Sequence, residues 1–111
     1  RLARRLCADC RAEYEVGEDE AVKEVPAGTR VYRAVGCARC HETGYRGRVP
    51  LFEVLPVHGE VRGLVEESAE SIFSAAVRQG MTTLRSHGFR LVREGTCSLE
   101  EIRRVTGDRL A

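Results

Sequence analysis

The sequence predicts an α+β fold in which a small cysteine-rich lobe with short strands is followed by a bundle of about four helices. Four paired cysteines lie before residue 41, among turn residues and short apolar runs. In the second half, apolar residues recur at helical spacing and glycines separate the runs. Only 5% of the 111 residues are aromatic and none is Trp, which excludes a large aromatic core.

The change of pattern divides the chain into two units. Residues 1–57 are expected to form the cysteine-rich lobe, and residues 58–111 the helical subdomain. Within the lobe, strands are predicted over 29–33 and 48–55, where β-branched and aromatic residues lie between turn residues. The acidic run at 17–23 indicates one short helix.

Four helices are predicted, each with an apolar face and the last three closed by a glycine: around 61–65, from Ser68 to Gly80, up to Gly95, and from Ser98 to Gly107. Gly88 lies inside the third helix, where glycine costs roughly 1 kcal/mol relative to alanine. It therefore indicates a close helix crossing. Ser98 and Glu101 match a capping box, in which each side chain accepts from the other residue's backbone N–H.

The paired cysteines predict a metal site. Cys7 and Cys10 form one Cys-x2-Cys pair, and Cys37 and Cys40 form the other. Two intervening residues let both sulfurs of a pair face one ion, and two pairs supply the tetrahedron of thiolates that Zn²⁺ accepts. The sequence therefore predicts a zinc site. Four reduced or disulfide-paired cysteines, and iron held by the same ligands, are the alternatives.

Four thiolates leave no open coordination position, so the predicted zinc is structural rather than catalytic. His41 could replace one sulfur, although a surface position is favoured. Arg11 and Arg39 could place positive charge near the site or could be solvated. Cys97 is expected to pack against Ile102 rather than to act as a nucleophile, because no histidine pairs with it in the pattern.

Charge and motifs exclude several classes of function. Eighteen basic residues against 17 acidic ones give a formal net charge of +1, so no global field attracts nucleic acid or anionic lipid. No apolar run is long enough to span a membrane. The phosphate-binding, dinucleotide-binding and His-Glu-x-x-His motifs are absent from the sequence. No catalytic residue is predicted, and this chain alone is not expected to be an enzyme.

Several segments together resemble the ATPases of type II secretion and type IV pilus assembly, the group of the general secretory pathway protein E and the pilus extension motor. The likeness runs in order through nearly the whole chain and is weakest at 13–25. The segments that carry it are 1–10, 35–40, 43–48, 52–55, 79–84, 95–102 and 105–107.

The resemblance implies a C-terminal fragment of a RecA-like motor ATPase, with a tetracysteine zinc subdomain beside the ATPase core. The residues it assigns as metal ligands are Cys7, Cys10, Cys37 and Cys40. ATP, Mg²⁺ and the catalytic residues would belong to the part of the parent upstream of Arg1. The parent would be a cytoplasmic homo-hexamer that drives an inner-membrane platform protein and reaches the membrane through its partners.

Other functions stay open on the residues alone. A zinc-ribbon module that binds nucleic acid would use Arg1, Arg4, Arg5 and Arg11, although the near-neutral charge and few aromatics argue against it. A rubredoxin-like electron carrier would hold iron. A chaperone cysteine-rich repeat would need a glycine where Glu42 stands and several copies of the motif.

Overall fold

The computed structural model describes residues 1–64 and 66–107. Within these residues, short strands precede helices, and the predicted α+β class is confirmed. The strands are β1 (Leu2–Leu6), β2 (Ala12–Glu15), β3 (Arg30–Arg33) and β4 (Tyr45–Pro50), and the helices are α1 (Gly59–Arg62), α2 (Ala69–Arg78), α3 (Leu84–Arg93) and α4 (Leu99–Thr106). No helix in this part of the chain has the length and apolar character needed to cross a bilayer.

The strands form two separate antiparallel ribbons rather than one sheet. In the first, β1 pairs with β4 so that Leu2 lies opposite Pro50 and Arg4 opposite Arg48. In the second, β2 pairs with β3. One cysteine pair follows β1 and the other precedes β4. The first ribbon therefore brings the two Cys-x2-Cys segments together at one of its ends.

Two elements of the lobe differ from the prediction. The strand predicted at 48–55 lies at 45–50. The helix predicted at 17–23 is wrong, because this segment consists of turns followed by a bridge between Val22 and Val25. Val25 is fully buried in the main core, and the backbone bonds of the bridge use groups that a helix would need. Core packing thus overrides the local helical tendency of the acidic run.

The main core takes residues from both halves of the chain. Helices α3 and α4 pack on each other, and α3 contacts β3 while α4 contacts β1 and β3. Fully buried core residues from these elements are Ala3, Val31, Phe89, Val92 and Ile102. Helices α1 and α2 pack on each other around a smaller apolar cluster of Val61, Ala75 and Ala76. The boundary between 1–57 and 58–111 stays a prediction.

Helices α2, α3 and α4 share one capping pattern. A hydroxyl side chain before each helix accepts the N–H three residues further on, and a glycine with positive φ follows each helix. These residues are Ser68 and Gly80, Thr83 and Gly95, and Ser98 and Gly107. The predicted ends of the last three helices are confirmed. Of the first predicted helix, Val65 lies outside the described residues.

Gly88 allows α3 and α4 to approach closely, as the sequence predicted. A Cβ at Gly88 would lie 2.7 Å from Cγ2 of Ile102, closer than side chains tolerate. Cys97 is fully buried in the same core as Ile102, and burial raises the pKa of its thiol to about 11. The predicted packing position of Cys97 is confirmed.

Glu101 is a fully buried carboxylate that ties α4 to β1. Its Oε2 accepts from the backbone N–H of Arg4 at 2.7 Å, and its oxygens pair with the guanidinium groups of Arg4 and Arg104 at 2.8 and 2.7 Å. Arg4 also stacks 4.1 Å from the centre of the Tyr45 ring. The Tyr45 hydroxyl hydrogen-bonds Oγ of Ser98 at 2.9 Å. This group joins β1, β4 and the start of α4.

The predicted capping box is therefore only half formed. The Ser98 hydroxyl accepts from the Glu101 N–H at 3.1 Å, but the described hydrogen bonds of the Glu101 carboxylate go to arginines instead of the Ser98 N–H. Two cationic guanidinium groups give this carboxylate ion pairing as well as hydrogen bonds, which the single neutral N–H of Ser98 would not supply. Burial by itself would raise the pKa of Glu101, and the bonds from Arg104 and Arg4 outweigh it and lower this pKa to about 2.

We expect Gly88→Ala to lower the free energy of unfolding by roughly 1–2 kcal/mol. The added methyl overpacks the contact with Ile102, and this cost exceeds the gain of about 1 kcal/mol in helix propensity. Gly63→Ala is the control, because among the described residues its added Cβ would meet the Glu60 carbonyl alone, at an ordinary contact distance of 3.6 Å. Urea denaturation of both variants measures the difference. A G88A protein as stable as G63A would show that α3 and α4 are further apart.

We expect Glu101→Gln to lower the free energy of unfolding at pH 7 by on the order of 2–3 kcal/mol. The folded-state pKa is depressed, so the ionised carboxylate stabilises the fold above its ordinary pKa near 4.5. That contribution is lost as the pH falls toward 2, and the wild-type and E101Q proteins should then converge. Denaturation at pH 7, 5 and 3 measures this, with the exposed Glu100→Gln as control. A pH-independent difference would contradict the ionic role.

Candidate metal centre

Each cysteine pair occupies a tight turn. The Cys7 carbonyl accepts from the N–H groups of Cys10 and Arg11 at 3.4 and 3.1 Å, which closes a turn directly after β1. Cys37 begins a 3₁₀ turn over Ala38–Cys40, closed by the Cys40 N–H donating to the Cys37 carbonyl at 3.2 Å. Because two residues separate the cysteines, each turn presents both sulfurs on one side.

The four cysteines converge on one point. Their Sγ atoms all lie within 4.8 Å of one another, and this is the group of potential metal ligands found among residues 1–64 and 66–107. The Cys7–Cys37 and Cys10–Cys40 sulfurs are 3.8 Å apart, and the Cys37–Cys40 sulfurs are 3.7 Å apart. A tetrahedral ion with metal–sulfur bonds of about 2.3 Å separates its ligands by about 3.8 Å. The spacing and the donor atoms therefore fit a four-thiolate metal site.

The same distances argue against disulfides. A disulfide holds its two sulfurs about 2.05 Å apart, whereas every described sulfur pair in the cluster is separated by at least 3.7 Å. All five cysteines are free thiols in the structure. Of the alternatives raised by the sequence, disulfide pairing is thus not what the geometry shows.

Backbone N–H groups point at two of the sulfurs. The Gly36 N–H donates to Sγ of Cys10 at 3.3 Å, while the N–H groups of Cys37 and Gly44 donate to Sγ of Cys40 at 3.2 and 3.1 Å. Donors of this kind stabilise the deprotonated sulfur that a metal requires. Burial alone would raise the pKa of Cys40, but the donors from Cys37 and Gly44 outweigh it and lower this pKa to about 6.

The sulfurs also influence one another. At Cys10 the Gly36 N–H favours the thiolate, but burial and the neighbouring thiols together raise the pKa to about 11. The Cys40 thiol therefore loses its proton readily, whereas the Cys10 thiol keeps its proton. A divalent cation removes this conflict, because it supplies positive charge to every sulfur at once and releases the remaining protons.

Two glycines make the N–H donors available. Gly36 and Gly44 have φ values of +119° and +84°, which L side chains rarely adopt. A Cβ at Gly44 would lie 2.5 Å from Cβ of Ala34, and one at Gly36 would lie 2.9 Å from the Glu42 carbonyl oxygen. Gly36 was missed, although a glycine directly before Cys37 was the available signal.

The other residues considered from sequence lie outside the sulfur cluster. His41 is an exposed residue with φ of 57° after the 3₁₀ turn. Arg39 is paired with Asp9, with 3.9 Å between Nε and Oδ2. Arg11 donates to the Gly95 carbonyl at 2.6 Å, beyond the end of α3. Arg11 therefore joins the lobe to the residues that follow α3.

Comparison with known proteins places this centre in a family. A family model described as "Type II/IV secretion system protein" matches residues 1–104. The chain belongs to this family. The resemblance found in the sequence is thereby confirmed, since the match covers both cysteine pairs and all the described helices except the last residues of α4.

Individual relatives agree with the family. The chain is 38% identical to the type II secretion system protein HxcR of Pseudomonas aeruginosa over 97% of its length, and 40% identical to the type IV pilus assembly ATPase PilB of Myxococcus xanthus over 92%. It is 37% identical to the type II secretion system ATPase E of Vibrio cholerae over 96%. The chain spans only about a fifth of these relatives, at 20%, 19% and 22% of their lengths.

We expect Gly44→Ala to weaken metal binding at least about tenfold, in the range seen when a group that orients a metal ligand is lost. The new methyl collides with Ala34 and displaces the N–H that faces Cys40. Gly47→Ala is the matched control, because Gly47 also has positive φ but has open space around it. Cobalt titration followed by thiolate-to-metal absorption measures both affinities. Equal losses in the two variants would mean that strain alone, and not the donor, is responsible.

Proposed function

We propose that this chain is the structural zinc-binding module of a secretion or pilus-assembly ATPase. The observation that carries the proposal is a set of four cysteine sulfurs all within 4.8 Å of one another, with three of the pairs 3.7–3.8 Å apart. Cys7, Cys10, Cys37 and Cys40 would hold the ion. Four sulfur ligands fill a tetrahedral site and leave no position for water or substrate, which favours a structural over a catalytic centre.

When bound, zinc supplies cross-links between the turn after β1 and the turn before β4. The chain's own residues prepare this. The β1–β4 ribbon sets the distance between the two turns, and Gly36 and Gly44 direct N–H groups at the sulfurs. Beyond the turns, the Arg4 N–H in β1 donates to the Glu101 carboxylate, and this bond connects the ribbon to α4. A metal-ordered lobe would thus hold the last helix in a fixed orientation.

We further propose that the module lies in the C-terminal part of a RecA-like motor. Support comes from relatives named as secretion and pilus-assembly ATPases, of which this chain spans about a fifth. The parent would bind ATP and Mg²⁺ upstream of Arg1, assemble as a cytoplasmic homo-hexamer and move an inner-membrane platform protein. The membrane contact would be made through partners. The chain itself would hydrolyse no ATP, because its sequence holds no phosphate-binding loop.

The nucleic-acid alternative is disfavoured by how the arginines are used. Arg4 is engaged by Glu101 and Tyr45, and Arg11 by the Gly95 carbonyl. Two of the four residues that would form a basic surface therefore serve the fold. With a formal net charge of +1, little remains to attract a phosphate backbone.

We expect the purified chain to contain one zinc per molecule and Cys40→Ser to abolish this stoichiometry. Losing a ligand removes much of a metal-linked stabilisation of roughly 10 kcal/mol, so the lobe should unfold. The control is Cys97→Ala, since Cys97 lies outside the cluster and its loss should leave the zinc content unchanged. Elemental analysis and thermal melting, with and without a strong chelator, give both readouts.

Each result bears on a different alternative. Iron in place of zinc, with visible colour, would support an electron carrier. A metal-free protein whose melting is insensitive to chelator would overturn the metal-binding proposal. ATP turnover by this chain alone would contradict the assignment of catalysis to the upstream part, and salt-dependent binding of DNA or RNA would revive the nucleic-acid alternative.

A further inference from the structure

A run of apolar side chains just after β4 is left exposed by the part of the chain that the structure describes. Phe52 is 61% exposed, Val54 71% and Val57 52%, in a segment without regular secondary structure. The residue before them, Leu51, is by contrast buried in the main core. An apolar run of this kind on a protein surface indicates a surface that something else covers.

The hydrogen-bond register of the β1–β4 ribbon indicates which segment lies beside these apolar side chains. Its register pairs Leu2 with Pro50, and the next pair is Arg1 with Leu51, where the Leu51 N–H donates to the Arg1 carbonyl at 2.7 Å and the Arg1 nitrogen donates to the Leu51 carbonyl at 3.1 Å. Arg1 and Leu51 are thus a reciprocally bonded pair of an antiparallel ladder. The ladder reaches the first residue of the chain with its bonding pattern intact.

Continuing the same register assigns a partner to each residue after Leu51. The residue immediately before Arg1 would lie opposite Phe52, and the third residue before Arg1 would lie opposite Val54. In an antiparallel ladder bonded and non-bonded pairs alternate. Glu53 would therefore be a bonded residue, as would Leu55, whereas Phe52 and Val54 would be in non-bonded pairs.

The directions of the backbone groups agree with this assignment. The Phe52 N–H points away from β1 and donates to Nδ1 of His87 at 3.2 Å, as a non-bonded position requires. Among the described residues no acceptor contacts the N–H of Glu53 or of Leu55. Pro50, which has no N–H, also falls on a non-bonded position, opposite Leu2. The N–H groups of Glu53 and Leu55 are thus available to donate to a strand that continues β1.

We propose that the residues preceding Arg1 in the parent protein continue β1 as a strand and pair with residues 52–55 of this chain. The proposal depends on the proposed function only in that the chain is part of a longer ATPase. The ribbon would then join the module to the upstream core by backbone bonds. Apolar side chains are expected on the residues opposite Phe52 and Val54, because cross-strand pairs of that kind stabilise a ladder.

Hydrogen exchange in the zinc-loaded parent protein tests the pairing at single amides. The amides of Glu53 and Leu55 should exchange at least about 100-fold more slowly than in an unstructured peptide, because a ladder bond must open first. Leu55→Pro removes one of these donors and should abolish the protection at Glu53 as well. Val54→Pro is the matched control, since the Val54 N–H faces away from the ladder and its loss should leave the Glu53 amide protected.

A cross-link tests the register independently of stability. The parent carrying Val54→Cys and a cysteine at the third residue before Arg1 should form a disulfide under mild oxidation, because Cα atoms of a non-bonded antiparallel pair lie about 4.5 Å apart. Val54→Cys with a cysteine at the second residue before Arg1 places the thiols on opposite faces and should form at least about tenfold less. Peptide mapping separates the new bond from the native cysteines.

The outcomes distinguish this inference from the proposed function. Rapid exchange at both amides, or preferential cross-linking of the displaced pair, in a parent that contains zinc and hydrolyses ATP would overturn the pairing alone. A parent without zinc would overturn the metal proposal, while the exchange and cross-link data would still decide the pairing. Protection at both amides together with the in-register disulfide would support it.

Discussion

Four sulfur atoms held within 4.8 Å of one another are the constraint on which this lobe depends. Two unit charges 4 Å apart interact by about 4 kcal/mol at an effective dielectric constant of 20, so several thiolates at this spacing repel strongly. The fold meets that cost with backbone donors at Cys10 and Cys40 and with a geometry suited to one divalent cation. Only 5% of the residues in the chain are aromatic, and an ion bound at the sulfurs would add the stability that a larger apolar core otherwise supplies.

A second interaction, the ion pair between Glu101 and Arg4, connects the ribbon to the helices. The buried Glu101 carboxylate is paired with Arg4 on the ribbon and with Arg104 one turn further along α4. Isolated burial of such a charge would be costly, and the bonds from Arg104 and Arg4 favour the ionised form. The β1–β4 ribbon, which brings the two cysteine turns together, is therefore bonded directly to α4 through Arg4.

How much of the fold and of the candidate site could be predicted depended on how far apart in sequence the interacting residues lie. The two Cys-x2-Cys pairs and the helix caps were predictable because the residues that signal each of them lie within a few positions of one another. The predicted bond from the Ser98 N–H to the Glu101 carboxylate was wrong, because Arg4, 97 positions away in sequence, donates to that carboxylate instead. Strand β1 was missed because it is rich in arginine and buries only Ala3 and Leu6, so it shows no simple alternation. The acidic segment at 17–23 does not form the predicted helix, because Val25 just after it is buried in the main core.

The contact between Arg4 and Glu101 also joins the first described strand to the last described helix. A mechanical force that enters the chain at β1 therefore reaches α4 directly, without passing through the connecting loops. A change of length confined to the exposed residues 17–19 would leave this route for tension unchanged. A displacement of β1 would therefore shift α4 with it, although the two elements are far apart in sequence.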